Sequence, residues 1–423
     1  MTERTMRLED AERLLLSLEL FGMRFGLDRM RRLLTALGSP QERFGAVHVV
    51  GTNGKSSTVR MSAAILRRHG LRVGAYLSPH LVTFAERVRV DDADVSGAEF
   101  AAAVQRAAAA AEKVDRRSDP DDRVTQFELL TGAAFDLFAR AGVDVVVVEA
   151  GLGGRFDATN VLSSDVSVLT NVGLEHTRWL GPTVADIATE KLDVLERGTT
   201  LVLGADLHPD ARALAERTAA ERDAALVVAP ADPGAGMEVL ARGSFQRRNF
   251  ALAIEAARAY LATRGRALDD VAVHAAGAST LVPGRFELIA TGPDTVIDGA
   301  HNPGGLVALA EALPEFVGDR RLVACLAVLD DKDATEMLRT LLPLCHAVVT
   351  TRAQSPRALP PATLASLCHQ LGFAGPVEIV GEARAALDRA RTLAGPDGVA
   401  LATGSIYLIA DLLRPVGAAR STL

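Results

Sequence analysis

The sequence predicts a two-domain α/β protein in which helices cover parallel sheets. Two series of alternating apolar strands and helical segments support this prediction, and a break rich in Pro-Gly and Gly-Pro turns separates them near residues 280–292. The segment 143–148 is an unbroken apolar run, typical of a parallel strand buried on both faces. At 423 residues, the chain also exceeds the length at which one hydrophobic core stops growing.

The first series predicts a parallel sheet, because strand and helix alternate and each crossover returns the chain in the same direction. Its predicted helices span residues 8–19, 27–37, from about 56 to 69, 97–114 and a segment ending near 139. Its predicted strands span residues 46–50, 73–77, 143–148, 166–170 and 201–204.

The second series repeats the alternation after the turn-rich break, so the sequence predicts a second, smaller α/β domain. We place the boundary so that residues 1–283 form the first domain and residues 284–423 form the second. The predicted strands of the second series span residues 295–297, 322–327, 347–350, 377–379 and 399–402.

Composition and charge exclude several classes of protein. The net charge is −7, with 46 basic and 53 acidic residues mixed along the chain, so no concentrated basic face for a nucleic acid is expected. Cys325, Cys345 and Cys368 lack paired short spacing, which argues against a disulfide framework or a zinc site. The first residues carry charge without an apolar segment, and no apolar run reaches membrane-spanning length. We therefore expect a cytoplasmic protein with no membrane partner.

The segment 47–58 has the features of a phosphate-binding loop. It reads Val-His-Val-Val-Gly-Thr-Asn-Gly-Lys-Ser-Ser-Thr, an apolar strand followed by a glycine-punctuated turn and the start of a helix. Gly51 and Gly54 allow backbone N–H groups to face an anion, and Lys55 adds a positive charge. The pattern favours nucleotide binding over a strand-to-helix turn without function.

Three polar side chains follow strands of the first series and should lie near the phosphate loop. Ser78, Glu149 and His176 each occur at or shortly after the end of a predicted strand. In parallel sheets, ligands bind outside the carboxyl ends of the strands, and a hydroxyl and a carboxylate there suit Mg²⁺ bound to phosphates. The alternative roles are a turn residue for Ser78, an ion pair for Glu149 and a helix-start position for His176.

The second series also ends one strand with an acid and an imidazole. Asp298 and His301 follow the predicted strand at residues 295–297, and Arg285 lies at the proposed domain boundary. From that position, Arg285 is predicted to reach a phosphate when the domains close. A linker salt bridge is its alternative role.

Several motifs occur together and in a fixed order along nearly the whole chain. Besides the phosphate loop, they are Ser-Pro-His-Leu at 78–81, Glu-x-Gly-x-Gly-Gly-Arg-x-Asp-Ala-Thr-Asn at 149–160, Pro-Gly-Arg-Phe-Glu at 283–287, Asp-Gly-Ala-His-Asn-Pro at 298–303 and Ser-Pro-Arg-Ala at 355–358. With these motifs the chain resembles folylpolyglutamate synthase/dihydrofolate synthase, in the Mur ligase superfamily. One departure is Ser56, which stands where that family usually has glycine.

The resemblance implies a Mur-ligase-like fold, with an N-terminal P-loop ATPase domain and a smaller C-terminal Rossmann-like α/β domain. It implies an ATP-dependent ligase that adds L-glutamate to dihydropteroate or a reduced folate through an acyl phosphate, with Mg²⁺ as cofactor. ATP would contact Thr52, Asn53, Gly54, Lys55, Ser56, Ser57, Asn249, Arg285 and Asp298. The metal would be held by Ser78, Glu149, His176 and Lys191. The catalytic set would be Lys55, His176, Lys191, Arg285, Asp298 and His301.

The resemblance also implies a pterin site and a modified lysine. The segments that match pterin-contacting segments are 22–24, Thr125, Gln126, Phe127 and Glu128, and Phe156, Asp157 and Ala158. Lys191 matches a lysine that is carbamylated in the family, which would provide an anionic oxygen for a second Mg²⁺ or a monovalent cation. An ordinary helix-face lysine is the alternative.

Two other functions are kept as alternatives. One is another Mur-type amide ligase of the muramyl-peptide class, and the other is a nucleotide-gated binding protein without ligase turnover. The expected partners are ATP, L-glutamate and a pteroyl acid, and the expected assembly is a monomer.

Overall fold

The structure divides the chain into two compact units. It is a computed structural model that describes residues 6–19, 26–119 and 122–415. Described residues up to Glu238, together with Arg248–Thr280, form the first unit. Val239–Arg247 and the described residues from Leu281 onward form the second.

The first unit contains an eight-stranded sheet with helices along its connections. Its helices are α1 (Leu8–Ser17), α2 (Asp28–Leu37), α3 (Lys55–Arg68), α4 (Gly97–Asp115), α5 (Gln126–Ala141), α6 (Thr177–Leu180), α7 (Val184–Leu192), α8 (Pro209–Glu221), α9 (Ser244–Thr263, whose first residues count with the second unit) and α10 (Asp270–Gly277). Its strands are β1 (Gly45–Val50), β2 (Val73–Tyr76), β3 (Val88–Val90), β4 (Ala93–Asp94), β5 (Val145–Glu149), β6 (Val166–Leu169), β7 (Thr200–Leu203) and β8 (Ala225–Val228).

The strand order is β4-β3-β2-β5-β1-β6-β7-β8, so β1 lies inside the sheet. It pairs in parallel with β5 on one side and β6 on the other, and β2 pairs in parallel with β5. The carboxyl ends of these four strands therefore meet at one edge of the sheet, where a ligand can contact the loops that follow them. This arrangement confirms the predicted parallel sheet.

Two strands at one end of this sheet depart from the prediction. Strands β3 and β4 pair antiparallel to their neighbours and were not expected from the sequence. Asp91 and Asp92 connect them with positive φ angles of 52° and 66°, as in a tight hairpin turn. A two-residue connection is too short for a parallel crossover, so the local turn overrides the alternating pattern.

Polar capping residues fix the starts of two long helices in the first unit. Ser96 before α4 and Thr125 before α5 each accept a backbone N–H through the side chain, and Glu99 and Glu128 return the bond. These capping boxes satisfy backbone donors that the first turn of a helix leaves without partners. The apolar faces of α4 and α5 pack into the same buried cluster as Tyr76 of β2.

The second unit contains a six-stranded sheet and has its own apolar core. Its strands are β9 (Glu287–Ala290), β10 (Asp294–Ile297), β11 (Leu322–Leu326), β12 (Ala347–Thr350), β13 (Val377–Ile379) and β14 (Val399–Thr403). Its helices are α11 (Pro303–Val317), α12 (Ala334–Leu341), α13 (Pro361–Gln370), α14 (Ala383–Ala394) and α15 (Ile406–Leu413).

The order of this sheet is β13-β12-β11-β14-β10-β9. The five strands predicted for the second series are present and pair in parallel. The sixth, β9, pairs antiparallel with β10 and was not predicted. A short turn of three residues joins the two, which again prevents a parallel crossover. Within the described parts of the chain, no helix is both long and apolar enough to cross a membrane.

Candidate nucleotide and ligase site

The loop between β1 and α3 has the backbone geometry of an anion site. Gly51 and Gly54 have φ angles of 150° and 84°, which lie in the region that favours glycine. A Cβ atom at Gly51 would lie 1.8 Å from Thr170 Oγ1, so this position has no room for a side chain. Because Gly54 has no side chain to cap α3, the first N–H groups of the helix and its dipole remain available to a phosphate.

Residues that follow β6 hold this loop in place. Asn53 donates its backbone N–H to Asn171 Oδ1 at 2.9 Å, and Thr170 Oγ1 donates to the Asn53 carbonyl at 2.7 Å. The Thr52 hydroxyl accepts the N–H of Gly173 at 3.1 Å. The phosphate loop is therefore bonded to the neighbouring strand end. Thr170 and Asn171 were not assigned this role from sequence, although their position directly after a predicted strand is the signal that would suggest it.

Two lysines donate to the same backbone carbonyl in this loop. Lys55 Nζ donates to Gly51 O and to Thr52 O, each at 3.0 Å, and Lys191 Nζ donates to Gly51 O at 2.7 Å. Lys191 lies on α7, is only 2% exposed and forms an ion pair with Glu175 Oε1 at 3.4 Å. Burial, which is the largest effect, lowers the pKa of the Lys191 ammonium to about 8, and Glu175 opposes the shift.

Glu149 connects three of the predicted site segments. It ends β5, is 2% exposed, and accepts a hydrogen bond from Ser56 Oγ at 3.0 Å through Oε1. Its Oε2 accepts the backbone N–H of Ser78 at 3.1 Å. The Ser78 hydroxyl in turn accepts a long hydrogen bond of 3.4 Å from Arg87, whose Nε donates to His80 Nδ1 at 2.9 Å. The structure therefore brings Ser56 and Ser78 together at Glu149.

His176 is placed differently from Glu149. It directly precedes α6, its side chain is exposed, and its backbone has a φ angle of 49°, in the left-handed region that non-glycine residues rarely adopt. Among residues 6–19, 26–119 and 122–415, no three His, Cys, Asp or Glu side chains form a group that could hold a metal. A metal at Glu149 would therefore need further oxygens from phosphate or water, which is the usual coordination of Mg²⁺. The carboxylate and hydroxyl donors at Glu149, Ser56 and Ser78 fit that ion.

The predicted pterin residues at the start of α5 mostly form hydrogen bonds within the protein. Thr125 and Glu128 form the capping box of the helix, and both Glu128 oxygens accept from Arg29 Nε at 3.1 Å. Gln126 Nε2 donates to the carbonyl of Leu15 at 2.8 Å. Phe127 is half-buried, and a Cβ at Gly151 would lie 2.6 Å from its ring. Phe127 is thus the residue of this group with an apolar face near the 149–160 loop. Residues 22–24, also predicted to contact pterin, lie outside the described residues.

The second predicted pterin segment combines an exposed aromatic ring with a buried carboxylate. Phe156 is 47% exposed, whereas Asp157 and Ala158 are buried. Asp157 accepts the N–H of Leu152 at 2.8 Å and both the N–H and the hydroxyl of Thr159. Burial raises the pKa of the Asp157 carboxyl, and these hydrogen bonds oppose the rise. Asp157 therefore shapes the loop that presents Phe156.

In the second unit, Asp298 organises the loop that contains Arg285. Asp298 is buried after β10, and its two oxygens accept the N–H groups of Phe286 at 2.8 Å and Ala300 at 2.7 Å. Burial raises the pKa of its carboxyl, and the nearby Arg285 guanidinium opposes the rise. A Cβ at Gly299 would lie 3.0 Å from Arg285 Nη1, so the guanidinium packs along this loop. His301 is half-buried and its Nδ1 is bonded to Gly299 O at 2.9 Å.

Two further predicted ATP contacts lie beside the phosphate loop. Asn249 of α9 lies against Gly54, since a Cβ there would be 2.5 Å from Asn249 Oδ1. Ser57 is buried in the first turn of α3. Asn249 is distant in sequence from the loop, and only the family resemblance had suggested it as an ATP contact.

Comparisons with known proteins identify the family of this chain. Residues 284–406 match the family described as Mur ligase, glutamate ligase domain. A probable bifunctional folylpolyglutamate synthase/dihydropteroate synthase of Haloferax volcanii is 38% identical over 96% of this chain, and the chain spans about half of that protein, 50%. A dihydrofolate synthase/folylpolyglutamate synthase of Mycobacterium tuberculosis is 34% identical, over 93% of this chain and 89% of that protein. The chain belongs to the dihydrofolate synthase/folylpolyglutamate synthase family.

Solved structures of this family have the same fold. The Mycobacterium tuberculosis folylpolyglutamate synthase complexed with ADP matches with a TM-score of 0.87 at 33% identity, covering 96% of this chain and 97% of that one. The Escherichia coli FolC structure in complex with DHPP and ADP matches with a TM-score of 0.84 at 28% identity, covering 96% and 97%. A Yersinia pestis folylpolyglutamate synthase/dihydrofolate synthase complexed with AMPPNP and Mn ion also scores 0.84, at 29% identity and 97% and 98% coverage.

Proposed function

We propose that this chain is an ATP-dependent ligase that joins L-glutamate to the carboxylate of a folate-type substrate and releases ADP and phosphate. The observation that supports this most strongly is the convergence of Ser56, Ser78 and Glu149 beside the phosphate loop. Its family membership and the complexes of related enzymes with nucleotide and DHPP support a pteroyl acid over a muramyl peptide.

The chemistry requires activation because a carboxylate is a poor acyl donor. Transfer of the terminal phosphoryl group of ATP to the substrate carboxylate gives an acyl phosphate and ADP. The amine of glutamate then attacks the acyl carbon, the C–O bond to phosphate breaks, and the amine loses a proton as the amide forms. Phosphoryl transfer depends mainly on positioning and charge neutralisation, and the acyl phosphate must be kept from water.

The phosphate loop supplies most of that neutralisation. The N–H groups of Gly54, Lys55, Ser56 and Ser57 would face the phosphates, with Thr52, Asn53 and Asn249 lining the loop. Lys55 donates to the carbonyls of Gly51 and Thr52. On nucleotide binding it would exchange these neutral acceptors for a phosphate oxygen, which is a stronger partner for a cation.

Mg²⁺ is the metal that the donor set fits. Ser78 and Glu149 would hold it, with His176 and Lys191 as the further predicted ligands, and bound Mg²⁺ would neutralise phosphate charge. Carbamylation of Lys191 would add an anionic oxygen for a second ion. A Lys191 pKa of about 8 supports this, because the neutral amine that reacts with CO₂ is more abundant than in an ordinary lysine.

The pteroyl substrate would lie against the aromatic faces of Phe127 and Phe156. A pterin ring stacks well on such faces. Thr125, Gln126 and Glu128 would position the first of these aromatic residues, and Asp157 and Ala158 the second.

The second unit would complete the reaction. Arg285 would stabilise charge on the transferring phosphate, Asp298 would contact the nucleotide and hold the Arg285 loop, and His301 would lie near glutamate. We accordingly propose that residues 1–283 carry the ATP and pterin sites and that residues 284–423 are the glutamate-ligase domain.

A steady-state assay of ADP release tests the proposal. Dihydropteroate and tetrahydrofolate are each added with and without L-glutamate, and the products are separated by mass. We expect ADP release that depends on both a pteroyl acid and glutamate, with one glutamate added per ADP. ADP release that ignores both additions would instead support a nucleotide-gated binding protein.

Mg²⁺, assembly and location have separate tests. We expect chelation to abolish ADP release and Mg²⁺ to restore it.

A monomer is proposed, and light scattering of the purified chain would decide it. A cytoplasmic location is proposed because Cys325, Cys345 and Cys368 are all free thiols. Fractionation of the source cells would decide that point.

A further inference from the structure

A buried chain of hydrogen bonds joins the phosphate-loop strand to the loop that carries Phe156. His48 lies in β1, three residues before Gly51, and its Nε2 is 2.8 Å from Thr159 Oγ1. The same hydroxyl donates to Asp157 Oδ1 at 2.5 Å. His48 and Thr159 are both 0% exposed, so water does not compete for these bonds.

The geometry fixes the direction of each bond. An ionised Asp157 can only accept, so the single proton of the Thr159 hydroxyl goes to Asp157 and the hydroxyl oxygen accepts from His48. The imidazole therefore carries its proton on Nε2. Its Nδ1 is buried and has no hydrogen-bond partner among the described residues. Burial lowers the pKa of His48 to about 4, which keeps the ring neutral.

Asp157, the last member of this series of hydrogen bonds, shapes the loop that carries Phe156. Asp157 also accepts the backbone N–H groups of Leu152 and Thr159. These bonds fold residues 151–159 into a compact turn, and Phe156 projects from this turn with 47% of its surface exposed. The Asp157 carboxylate therefore helps to hold the loop from which Phe156 projects.

A histidine is costly at this strand position. Burying an imidazole with one nitrogen unpartnered costs free energy, and the flanking positions of β1 are filled by Val47 and Val49. An apolar side chain would suit the sheet better. The hydrogen bond to Thr159 is the interaction that an apolar residue could not make.

We propose that His48 is a positioning residue that, through Thr159 and Asp157, holds the 151–159 loop in the shape that accepts the pteroyl substrate. This rests on the proposed function, because it takes Phe156 as part of the pteroyl site. The same strand carries the phosphate loop, so one imidazole connects the two substrate sites.

Four variants separate the hydrogen bond from simple packing. His48→Gln is long enough to place an N–H near the position of Nε2, whereas His48→Asn is one methylene shorter and is not. Thr159→Ser keeps the hydroxyl, and Thr159→Val keeps the volume but removes it. We expect His48→Asn and Thr159→Val to raise the KM for the pteroyl substrate about 10-fold, from loss of one buried hydrogen bond. The KM for ATP should change by less than about twofold. His48→Gln and Thr159→Ser should have the parent KM for the pteroyl substrate.

Two measurements need no turnover and so remain valid if the proposed function fails. Hydrogen exchange of residues 150–160 should be faster in Thr159→Val than in Thr159→Ser, with residues 399–403 of the second unit as an unaffected reference. The ¹⁵N spectrum of His48 should show a neutral ring protonated at Nε2. The proposal would be overturned by a His48 ring protonated at Nδ1 or by equal hydrogen exchange in the two Thr159 variants. It would also be overturned if the two His48 variants, or the two Thr159 variants, changed the KM equally. A parent enzyme without ligase turnover would overturn the proposed function alone.

Discussion

Ser56 Oγ donates a hydrogen bond of 3.0 Å to Glu149 Oε1, joining the first turn of α3 to the end of β5. The family usually has glycine at this position, so this chain has a hydroxyl on the predicted metal carboxylate that a glycine could not supply. The bond orients one oxygen of Glu149 while the backbone of Ser78 occupies the other.

Removal of this hydroxyl should weaken metal use. We expect Ser56→Ala to raise the Mg²⁺ concentration for half-maximal ADP release about 10-fold, because groups that orient a metal ligand contribute to affinity. A Mg²⁺ titration of activity measures this, with Ser366→Ala on the exposed face of α13 as the control. An unchanged Mg²⁺ requirement would show that Ser56 does not support the metal ligand.

Removal of the Lys55 ammonium group from the phosphate loop should greatly slow ADP formation. We expect Lys55→Ala to lower ADP formation by about 10³-fold, since phosphoryl transfer depends on charges placed at the phosphates. The control is Lys113→Ala, which removes an exposed lysine from α4. Turnover within tenfold of the parent would exclude Lys55 from the mechanism.

Carbamylation of Lys191 should make activity depend on CO₂. Enzyme prepared in CO₂-free buffer should lose ADP formation, and bicarbonate should restore it, because the buried amine with a pKa of about 8 can react in its neutral form. Lys191→Arg should be inactive with or without bicarbonate. Full activity of the parent in CO₂-free buffer would favour the alternative of an unmodified lysine.

The buried imidazole of His48 should make stability fall in acid. Its pKa is about 4 in the folded chain and 6.5 in an ordinary histidine, so the unfolded chain binds the proton more tightly. The contribution of the neutral His48 ring to the free energy of unfolding is fully present above pH 6.5 and is lost as the pH falls towards 4. Denaturant unfolding across this range should show the parent losing on the order of 3 kcal/mol more than His48→Gln. Parallel curves for the two proteins would contradict the neutral, buried ring.

Loss of the Asp298 carboxylate should destabilise the second unit. Asp298→Ala leaves the N–H groups of Phe286 and Ala300 without acceptors, so the free energy of unfolding should fall by about 1–3 kcal/mol for each buried donor. Denaturant titration measures the loss. An effect on nucleotide affinity without a loss of stability would instead indicate that Asp298 acts mainly through ligand contact.

The sequence was sufficient for the parts of the fold that depend on periodic burial. The strands at the centre of both sheets were predicted because a short unbroken apolar run is typical of a strand that is buried on both faces. The short strands β3, β4, β8 and β9 were missed, and β3, β4 and β9 lie next to tight turns. The pairing of β3 with β4 depends on turn geometry at Asp91 and Asp92, which the hydrophobic pattern does not encode.

For the site, the sequence could predict the proximity only of those residues that the direction of the parallel strands brings together. Ser78 and Glu149 meet because parallel strands end at the same edge. The bond from Lys191 to Gly51 O could not be predicted, since it depends on how α7 packs against the loop. The contact of Asn249 with Gly54 depends in the same way on a long-range helix placement.

Strand β8 forms one border of the larger sheet and leaves Leu226 and Val228 exposed by 38% and 44%. A border strand presents backbone groups that another extended segment can bond, and apolar side chains beside them favour such self-association. Concentrated preparations of this chain should therefore aggregate through this border first. A lysine at position 226 or 228 would be the simplest change to improve solubility for crystallisation.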